Sequence, residues 1–248
     1  MVREYAATKN DAASSAERRV NLCRAVLWKA EARALVVADR RPAEVLDALI
    51  EAGYLGDAIR FFAMALPMKQ SIWWGALCIR QAFGDDLPPL DNECLAATLR
   101  WLREEGETNR REAERFARQA RARTAASALA MAAFTSGGSV SRPHLPYVAP
   151  GPRASAQLVA GAILLSAVRN QPMEYRNHYR QYLAIGQEVA AGRLGWLSVP
   201  VKDAEPVTMR VDPPHQSAPA PHGGAHPRHD FVPVEHVSRP HRRQPPSE

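Results

Sequence analysis

The sequence predicts an all-α fold of about nine helices, arranged as antiparallel hairpins in a solenoid-like stack or as an irregular bundle. Apolar residues recur at the three- and four-residue spacing of helix faces, and Gly or Pro separates segments that are each roughly 10 to 15 residues long. Alternating Val/Ile/Thr runs and Asn-Gly turns, which are typical of strands and hairpins, are absent from the sequence. Short breaks favour antiparallel neighbours, and without a fixed-period repeat both arrangements stay open.

The first half of the chain is expected to supply five helices. Residues 14–39 are rich in Ala, Arg and Glu and contain no Gly or Pro, which predicts one continuous helix. Pro42 at a first helical position and Gly53 as a stop delimit the second helix. Asp91 is expected to cap the fifth helix. That fifth helix lies at residues 93–104, and the third and fourth lie at residues 57–66 and 69–83.

The second half is expected to supply four more helices. Thr108 is predicted to cap an Arg-rich helix that extends to about Arg123. The small residues of "AASALAMAAFTSGG" form a helix that ends at Gly137 or Gly138, and the Pro-rich stretch "SVSRPHLPYVAPGP" then forms an extended connection. The last two expected helices lie at residues 154–170 and 173–191.

Composition divides the chain into three parts. Residues 1–13 are predicted to be disordered, and residues 14–197 form the helical domain. Residues 198–248 hold 11 of the 20 prolines and six of the eight histidines, which predicts a disordered tail. The formal net charge of +6 arises outside this tail, whose acidic and basic residues balance. A modest basic excess fits nucleic acid, an anionic membrane or an acidic partner, and it selects none of them.

The cysteines and the apolar runs indicate the compartment. Cys23, Cys78 and Cys94 show neither CxxC spacing nor neighbouring histidines, which indicates buried thiols in a reducing environment. The N-terminal residues lack the apolar stretch of a signal peptide. The longest apolar run, residues 158–168, is much shorter than the roughly 20 residues that a bilayer crossing needs. We therefore expect a cytoplasmic protein without a membrane span.

Signatures of catalysis and of cofactor binding are absent from the sequence, which has no GxSxG, HExxH, phosphate-loop or dinucleotide motif. Tyr175, His178, Tyr179 and Tyr182 share one helix face, but no nucleophile or paired carboxylate accompanies them, so we favour a packing stripe. The segment 135–139, "TSGGS", could form a small anion nest, although a helix end that needs a positive φ also explains its glycines. We expect no enzyme activity, no cofactor and no metal site, since the tail histidines lack a framework.

The Arg-rich helix at residues 109–123 is the candidate surface for charged partners. Arg111, Arg115 and Arg118 share one face by their spacing and could contact the phosphates of nucleic acid. Two glutamates interleave with them and offer local ion pairs, so we favour a solvated helix face.

The segment "QSIWWGALCIRQA" carries apolar residues on all sides. On a helical wheel, Ile72 and Ile79 mark a core stripe, Trp73 lies at its flank, and Trp74 points nearly opposite to it. Trp74 therefore needs a second neighbour, which is either another helix layer or an external partner. We favour an inner helix between two layers. The candidate partner-binding residues are Trp73, Trp74 and Arg80 of this segment, together with Arg111, Arg115 and Arg118.

Three stretches together resemble a family of uncharacterised bacterial helical proteins. The shared pattern is an ALP…WW…LC helix, an SGGS-type helix end, a Pro-rich loop and an AxxVAGA-type buried helix, and it covers residues 20–192. The resemblance implies no particular activity. Because members of the family are often encoded near type VI secretion genes, it implies an accessory or adaptor role. The matched positions are Ala65, Leu66, Pro67, Trp73, Trp74, Cys78, Ser136, Gly137, Gly138 and Ser139.

The favoured function is that of a non-enzymatic helical module that binds a protein partner, as an adaptor or accessory protein. The alternative is a nucleic-acid-associated protein that uses the Arg-rich helix 109–123 and the basic residues of the tail.

Overall fold

The structure, a computed structural model, describes residues 20–37, 39–169 and 172–195. These residues are all-helical, as predicted, and the expected disordered segments 1–13 and 198–248 lie outside them. Residues 20–24 are helical, and nine α-helices and one 3₁₀ turn (Pro172–Glu174) follow. The α-helices are α1 (Ala30–Leu35), α2 (Pro42–Glu51), α3 (Leu55–Ala65), α4 (Met68–Phe83), α5 (Pro89–Arg103), α6 (Glu107–Gln119), α7 (Ala125–Phe134), α8 (Ala154–Ala167) and α9 (Tyr175–Ala190).

Helices α4 and α8 lie at the centre of the bundle. Helix α8 contacts α3, α4, α7 and α9, and α4 contacts α5, α7 and α9 as well. Helices α5, α6 and α7 pack on one another on one side, while α3 and α9 pack on the other. In a solenoid each unit contacts only its neighbours along the chain. Because α8 packs against α3 and α4, the described residues form an irregular bundle, which is one of the two arrangements that the sequence left open.

The predicted continuous helix at residues 14–39 is wrong in its described part. The chain leaves the helix after residue 24 and resumes helical structure only at α1. The buried carboxylate of Asp57 accepts hydrogen bonds from the backbone N–H groups of Trp28 (2.7 Å) and Lys29 (3.4 Å). Because a distant carboxylate satisfies these two N–H donors, the break in the helix costs little free energy. The local hydrophobic periodicity contained no sign of the break.

Two predicted helix caps are also wrong. Helix α5 begins at Pro89, because proline suits a first helical position, where its missing N–H is not needed. Asp91 therefore lies inside the first turn, where it is buried and accepts a hydrogen bond from the Thr124 hydroxyl (2.6 Å). Helix α6 follows Gly106, and this places Thr108 within its first turn as an exposed residue.

The Arg-rich helix ends earlier than Arg123. Arg121 and Ala122 have φ values of 55° and 49°, so the backbone turns left-handed directly after α6. Thr124 then caps α7: its hydroxyl accepts from the N–H of Ser127 (3.1 Å), and the Ser127 hydroxyl accepts from the N–H of Thr124 (2.9 Å). This reciprocal pair is a variant of the capping box that has serine in place of glutamate.

Two helical glycines differ in their surroundings and offer a matched test. A Cβ on Gly186 would lie 2.8 Å from ring atoms of both Phe62 and Trp74, whereas a Cβ on Gly161 would meet no atom within 4 Å. We expect Gly186→Ala to lower the free energy of unfolding by about 1–3 kcal/mol through overpacking. Gly161→Ala should instead raise it by about 0.5–1 kcal/mol by stiffening the unfolded chain. Urea denaturation of both variants measures the difference, and equal effects would contradict this account.

Candidate functional site

Trp73 and Trp74, two of the candidate partner-binding residues, are buried within the chain. Trp74 is 0 % exposed; its indole N–H donates to the Tyr182 carbonyl (2.6 Å), and its ring centroid lies 5.2 Å from that of Phe62. The Trp73 indole donates to the Leu194 carbonyl (2.9 Å). Helices α9 and α3 thus cover Trp74, and α4 is an inner helix between two layers. The two tryptophans are core residues and offer no surface to a partner in this fold.

Arg80, Arg115 and Arg118 do not converge on one site. Arg80 is half-buried on α4, whereas the other two are exposed on α6. Arg115 lies 3.8 Å from the Glu112 carboxylate, and Arg118 donates to Glu114 (2.8 Å). The exposed arginines therefore pair with glutamates of their own helix, as the interleaved charges predicted.

Arg110, the residue before Arg111 on α6, is a buried anchor. Its side chain lies inside the protein, and the whole residue is only 5 % exposed. The guanidinium donates twice to the Glu107 carboxylate (both 2.8 Å), once to the Phe134 carbonyl (2.6 Å) and once to the Ser139 carbonyl (2.9 Å). One side chain thus ties the end of α7 and the loop after it to α6.

Arg111 continues this anchor toward the surface. It donates to the carbonyls of Ser139 (2.9 Å) and Ser141 (2.8 Å) and to the carboxylates of Glu107 (2.7 Å) and Glu114 (3.0 Å). We call Arg110 and Arg111 the arginine clamp. Although burial acts to raise it, the pKa of Glu107 lies below its ordinary value because of the hydrogen bonds from the two arginines. The Glu107 carboxylate therefore stays ionised at neutral pH.

Gly138 explains part of the "TSGGS" segment. Its φ is +64°, and a Cβ there would lie 2.9 Å from the central carbon of the Arg110 guanidinium. Only glycine permits both the left-handed backbone and this approach. The predicted helix end at Gly137 or Gly138 is wrong, because α7 ends at Phe134; Gly138 lies in the turn after the helix and makes room for the clamp.

The clamp holds the base of an exposed loop, which we call the display loop (residues 142–149). All eight of its residues are exposed. The Ser139 hydroxyl accepts from the N–H groups of Ser141 (3.2 Å) and Val148 (3.0 Å), and the Ser141 hydroxyl donates to the Pro146 carbonyl (2.6 Å). The loop thus has a fixed base although none of its own residues is buried.

The display loop presents large apolar side chains to solvent. Leu145 is 51 % exposed, Tyr147 is 69 % exposed and Val148 is 51 % exposed. Pro143 and Pro146 restrict the backbone between them. A restrained loop that exposes apolar groups is typical of protein-recognition segments, since loops on a rigid scaffold often carry binding residues.

The tyrosine and histidine stripe of α9 runs from the exposed Tyr175, through the half-buried His178 and Tyr179, to the buried Tyr182. Tyr182 is buried, which raises its pKa to about 12. The ring of His178 stacks on it with centroids 6.3 Å apart, and His178 Nδ1 lies 2.7 Å from the Ala167 carbonyl. Tyr175 and Tyr179 meet edge to face at 5.4 Å. In the described part of the chain, no three His, Cys, Asp or Glu residues are grouped so that they could hold a metal ion.

Arg110 is the residue that reasoning from the sequence missed. The buried face of α6 consists of Arg110, Ala113, Phe116 and Ala117. Arg110 therefore lies on the apolar face at i, i+3 and i+7 spacing with the two alanines, and a helical wheel of this segment could have identified it as the inward arginine.

Residues 45–190 match a family of unknown function, DUF6931. The chain belongs to this family. The DUF6931 match extends from within α2 to the end of α9, so the arginine clamp, the display loop and the tryptophan helix all lie inside it. The family confirms the resemblance to uncharacterised proteins, assigns no activity and gives no support to a link with type VI secretion. Neither the curated proteins nor the solved structures contain a match to the chain. None of the helices in the described residues of this DUF6931 protein combines the length and apolar character needed to cross a bilayer.

Proposed function

We propose that this protein is a non-enzymatic protein-interaction module, an adaptor of the bacterial cytoplasm, and that it binds its partner through the display loop. The observation that supports this proposal is the exposure of Leu145, Tyr147 and Val148 on a loop that two arginines hold in place. Exposed apolar side chains gain free energy only when a partner covers them.

A comparison of free energies shows why the clamp matters for binding. Ordering the backbone of eight mobile residues costs on the order of 10 kcal/mol. Burying three half-exposed apolar side chains returns roughly 1–2 kcal/mol each. A mobile loop of this composition would therefore gain nothing by docking. A loop that is ordered before it meets its partner avoids most of that cost, which is the advantage of preorganisation.

The loop chemistry indicates the kind of surface that fits it. The chain turns between Arg142 and Leu145, and the segment 146–150 that follows is neither helix nor strand and has a proline at each end. Extended Pro-rich segments dock in grooves lined by aromatic side chains. Arg142, exposed at one end of the loop, adds a preference for an acidic rim. The proposed partner is therefore a protein with an apolar, aromatic-lined groove beside acidic residues.

The alternative function, association with nucleic acid, is less well supported. It relied on Arg111, Arg115 and Arg118, and all three lie within 4 Å of glutamates on α6. Arg111 also donates to two loop carbonyls, so phosphate contact would compete with the clamp. We therefore favour a protein partner.

Site-specific photo-cross-linking in the native host tests the proposal. A photoreactive phenylalanine analogue replaces Tyr147 in one strain and the exposed Glu51 of α2 in a control strain. We expect one discrete protein adduct from position 147, because that side chain points into the partner, and none of that mass from position 51. Adding Leu145→Ser to the first strain should reduce the adduct at least about fivefold, since it removes an anchor.

Mass spectrometry of the adduct then identifies the partner. An adduct of equal yield from both positions, or no discrete adduct from position 147, would refute the display-loop proposal. An adduct that nuclease treatment removes would favour the nucleic-acid alternative.

A further inference from the structure

A recess of about 250 Å³ opens at the surface between Trp28 and helix α8. Its floor is apolar, because Val26, Ala156 and Ala160 of the lining are buried. Trp28 and Arg60 stand in the wall that faces α8. Of the described residues that line the recess, Arg60 alone is charged. The recess thus combines an apolar floor, an aromatic ring and one cation.

The guanidinium of Arg60 has hydrogen-bond donors that the fold does not use. Its Nη1 donates to the Gly56 carbonyl (3.0 Å), and its central carbon lies 3.5 Å from the centre of the Trp28 ring. Within the described residues, Nε and Nη2 have no acceptor, and no carboxylate lies within 4 Å of the guanidinium. Arg60 is half-buried, and this burial lowers its pKa although the charge of Asp57 acts to raise it. A partly desolvated cation of this kind is stabilised by an anion that enters the recess.

The charges around the recess also favour an anion. Lys29 and Arg33 are exposed beside Trp28, and Arg33 donates to the Trp28 carbonyl (3.1 Å). Two acids oppose these cations and the guanidinium of the recess. Glu31 is exposed on α1, whereas the buried Asp57 carboxylate already accepts from two backbone N–H groups. With three cations against two acids, the surroundings of the recess are positive and attract anions.

We propose that this recess binds a small carboxylic acid with a compact apolar body. The carboxylate accepts hydrogen bonds from Nε and Nη2 of Arg60, since a planar guanidinium suits two parallel bonds to a carboxylate. The apolar body lies on the floor and against the ring of Trp28. An inorganic anion would satisfy the cation but leave the apolar floor uncovered, so the geometry favours an organic acid.

The volume of the recess limits the size of the ligand. At the packing density of protein interiors, about 250 Å³ holds about 8 to 11 non-hydrogen atoms. Phenylacetate has this size, one carboxylate and an apolar ring, and it therefore serves as the probe. A ligand of so few atoms binds weakly, and we expect half-saturation at about 0.1–5 mM.

Titration of the full chain with phenylacetate, followed by the indole N–H signals in heteronuclear NMR spectra, tests the proposal. We expect a saturable shift of the Trp28 signal, which Trp28→Phe identifies by its loss. Phenylacetamide has nearly the same shape but no charge, so it should bind at least about tenfold more weakly.

Two variants test the charge and the shape of the recess separately. Arg60→Gln removes the cation. Gly161→Met fills the recess from α8, because Gly161 lines it and a Cβ there would meet no atom within 4 Å. Each variant should raise the half-saturation concentration at least about tenfold. Arg115→Gln makes the same change of charge on α6, outside the lining, and should leave it unchanged.

Circular dichroism and melting temperatures show which variants fold, and Gly161→Met decides the outcome if Arg60→Gln does not. A wild-type chain without a saturable shift below about 20 mM, or equal binding of phenylacetamide, would overturn the inference. So would unchanged binding in the folded recess variants, or an equal loss in Arg115→Gln, since net charge alone would then account for binding. Cross-linking from the display loop does not depend on this recess, so either proposal can fail alone.

Discussion

Trp74→Ala is expected to lower the free energy of unfolding by about 3–5 kcal/mol, the largest effect of any substitution considered. The side chain is fully buried, packs on Phe62 and donates to the Tyr182 carbonyl, so truncation leaves a cavity and an unpaired acceptor. Trp28→Ala removes the same side chain from an exposed position and should cost less than about 1 kcal/mol. Urea denaturation of the two variants gives the comparison.

Trp74→Phe separates the two contributions to this loss. Phenylalanine keeps an aromatic ring beside Phe62 but cannot donate to Tyr182, so we expect an intermediate loss of about 1–3 kcal/mol. If Trp74→Ala and Trp28→Ala destabilise the protein equally, Trp74 is not the inner residue that the structure describes.

Arg110→Met is expected to lower the free energy of unfolding by about 2–4 kcal/mol and to release the display loop. Methionine fills similar apolar space but removes the side-chain donor to the Phe134 carbonyl and one of the two arginine donors to the Ser139 carbonyl. Hydrogen exchange at the amides of Ser141 and Val148 should accelerate at least about tenfold, because the loop base loses its attachment. Chemical denaturation and hydrogen exchange on the same samples measure both effects.

Arg118→Met is the matched control for this substitution. Arg118 lies on the same helix but is exposed and pairs with Glu114, so its loss should cost less than about 1 kcal/mol. Loop exchange should not change in this variant. Equal effects of the two substitutions would show that the clamp does not hold the loop.

The buried tryptophan helix could be predicted from the sequence because its signal is local. The spacing of Ile72, Ile79, Trp73 and Trp74 shows directly that one face cannot take every apolar side chain. The wheel therefore identified the need for a second layer. It could not identify α9 as that layer, since the hydrogen bond from Trp74 to Tyr182 joins residues 108 positions apart.

Two of the failed predictions depended on distant partners. The carboxylate of Asp57 accepts a hydrogen bond from the Trp28 N–H, 29 residues away along the chain, and so stabilises the break in the helix. The carboxylate of Asp91 accepts a hydrogen bond from the Thr124 hydroxyl, 33 residues away. In each case a buried carboxylate accepts from a distant donor, whereas the sequence predicted Asp91 as a local cap and Trp28 as part of a continuous helix. Arg110 donates to the Phe134 carbonyl, which lies 24 residues away along the chain. The sequence alone therefore could not predict that the arginine pair holds the loop.

The arginine clamp has a consequence for how the display loop can change. The loop-side atoms that the clamp holds are the backbone carbonyls of Phe134, Ser139 and Ser141, which every amino acid provides. The tip of the loop takes no part in these bonds. Six residues from 142 to 147 can therefore be exchanged while the scaffold persists, provided that the backbone still turns at the same place. Such a scaffold allows new binding specificities to evolve, or to be grafted, without a new fold.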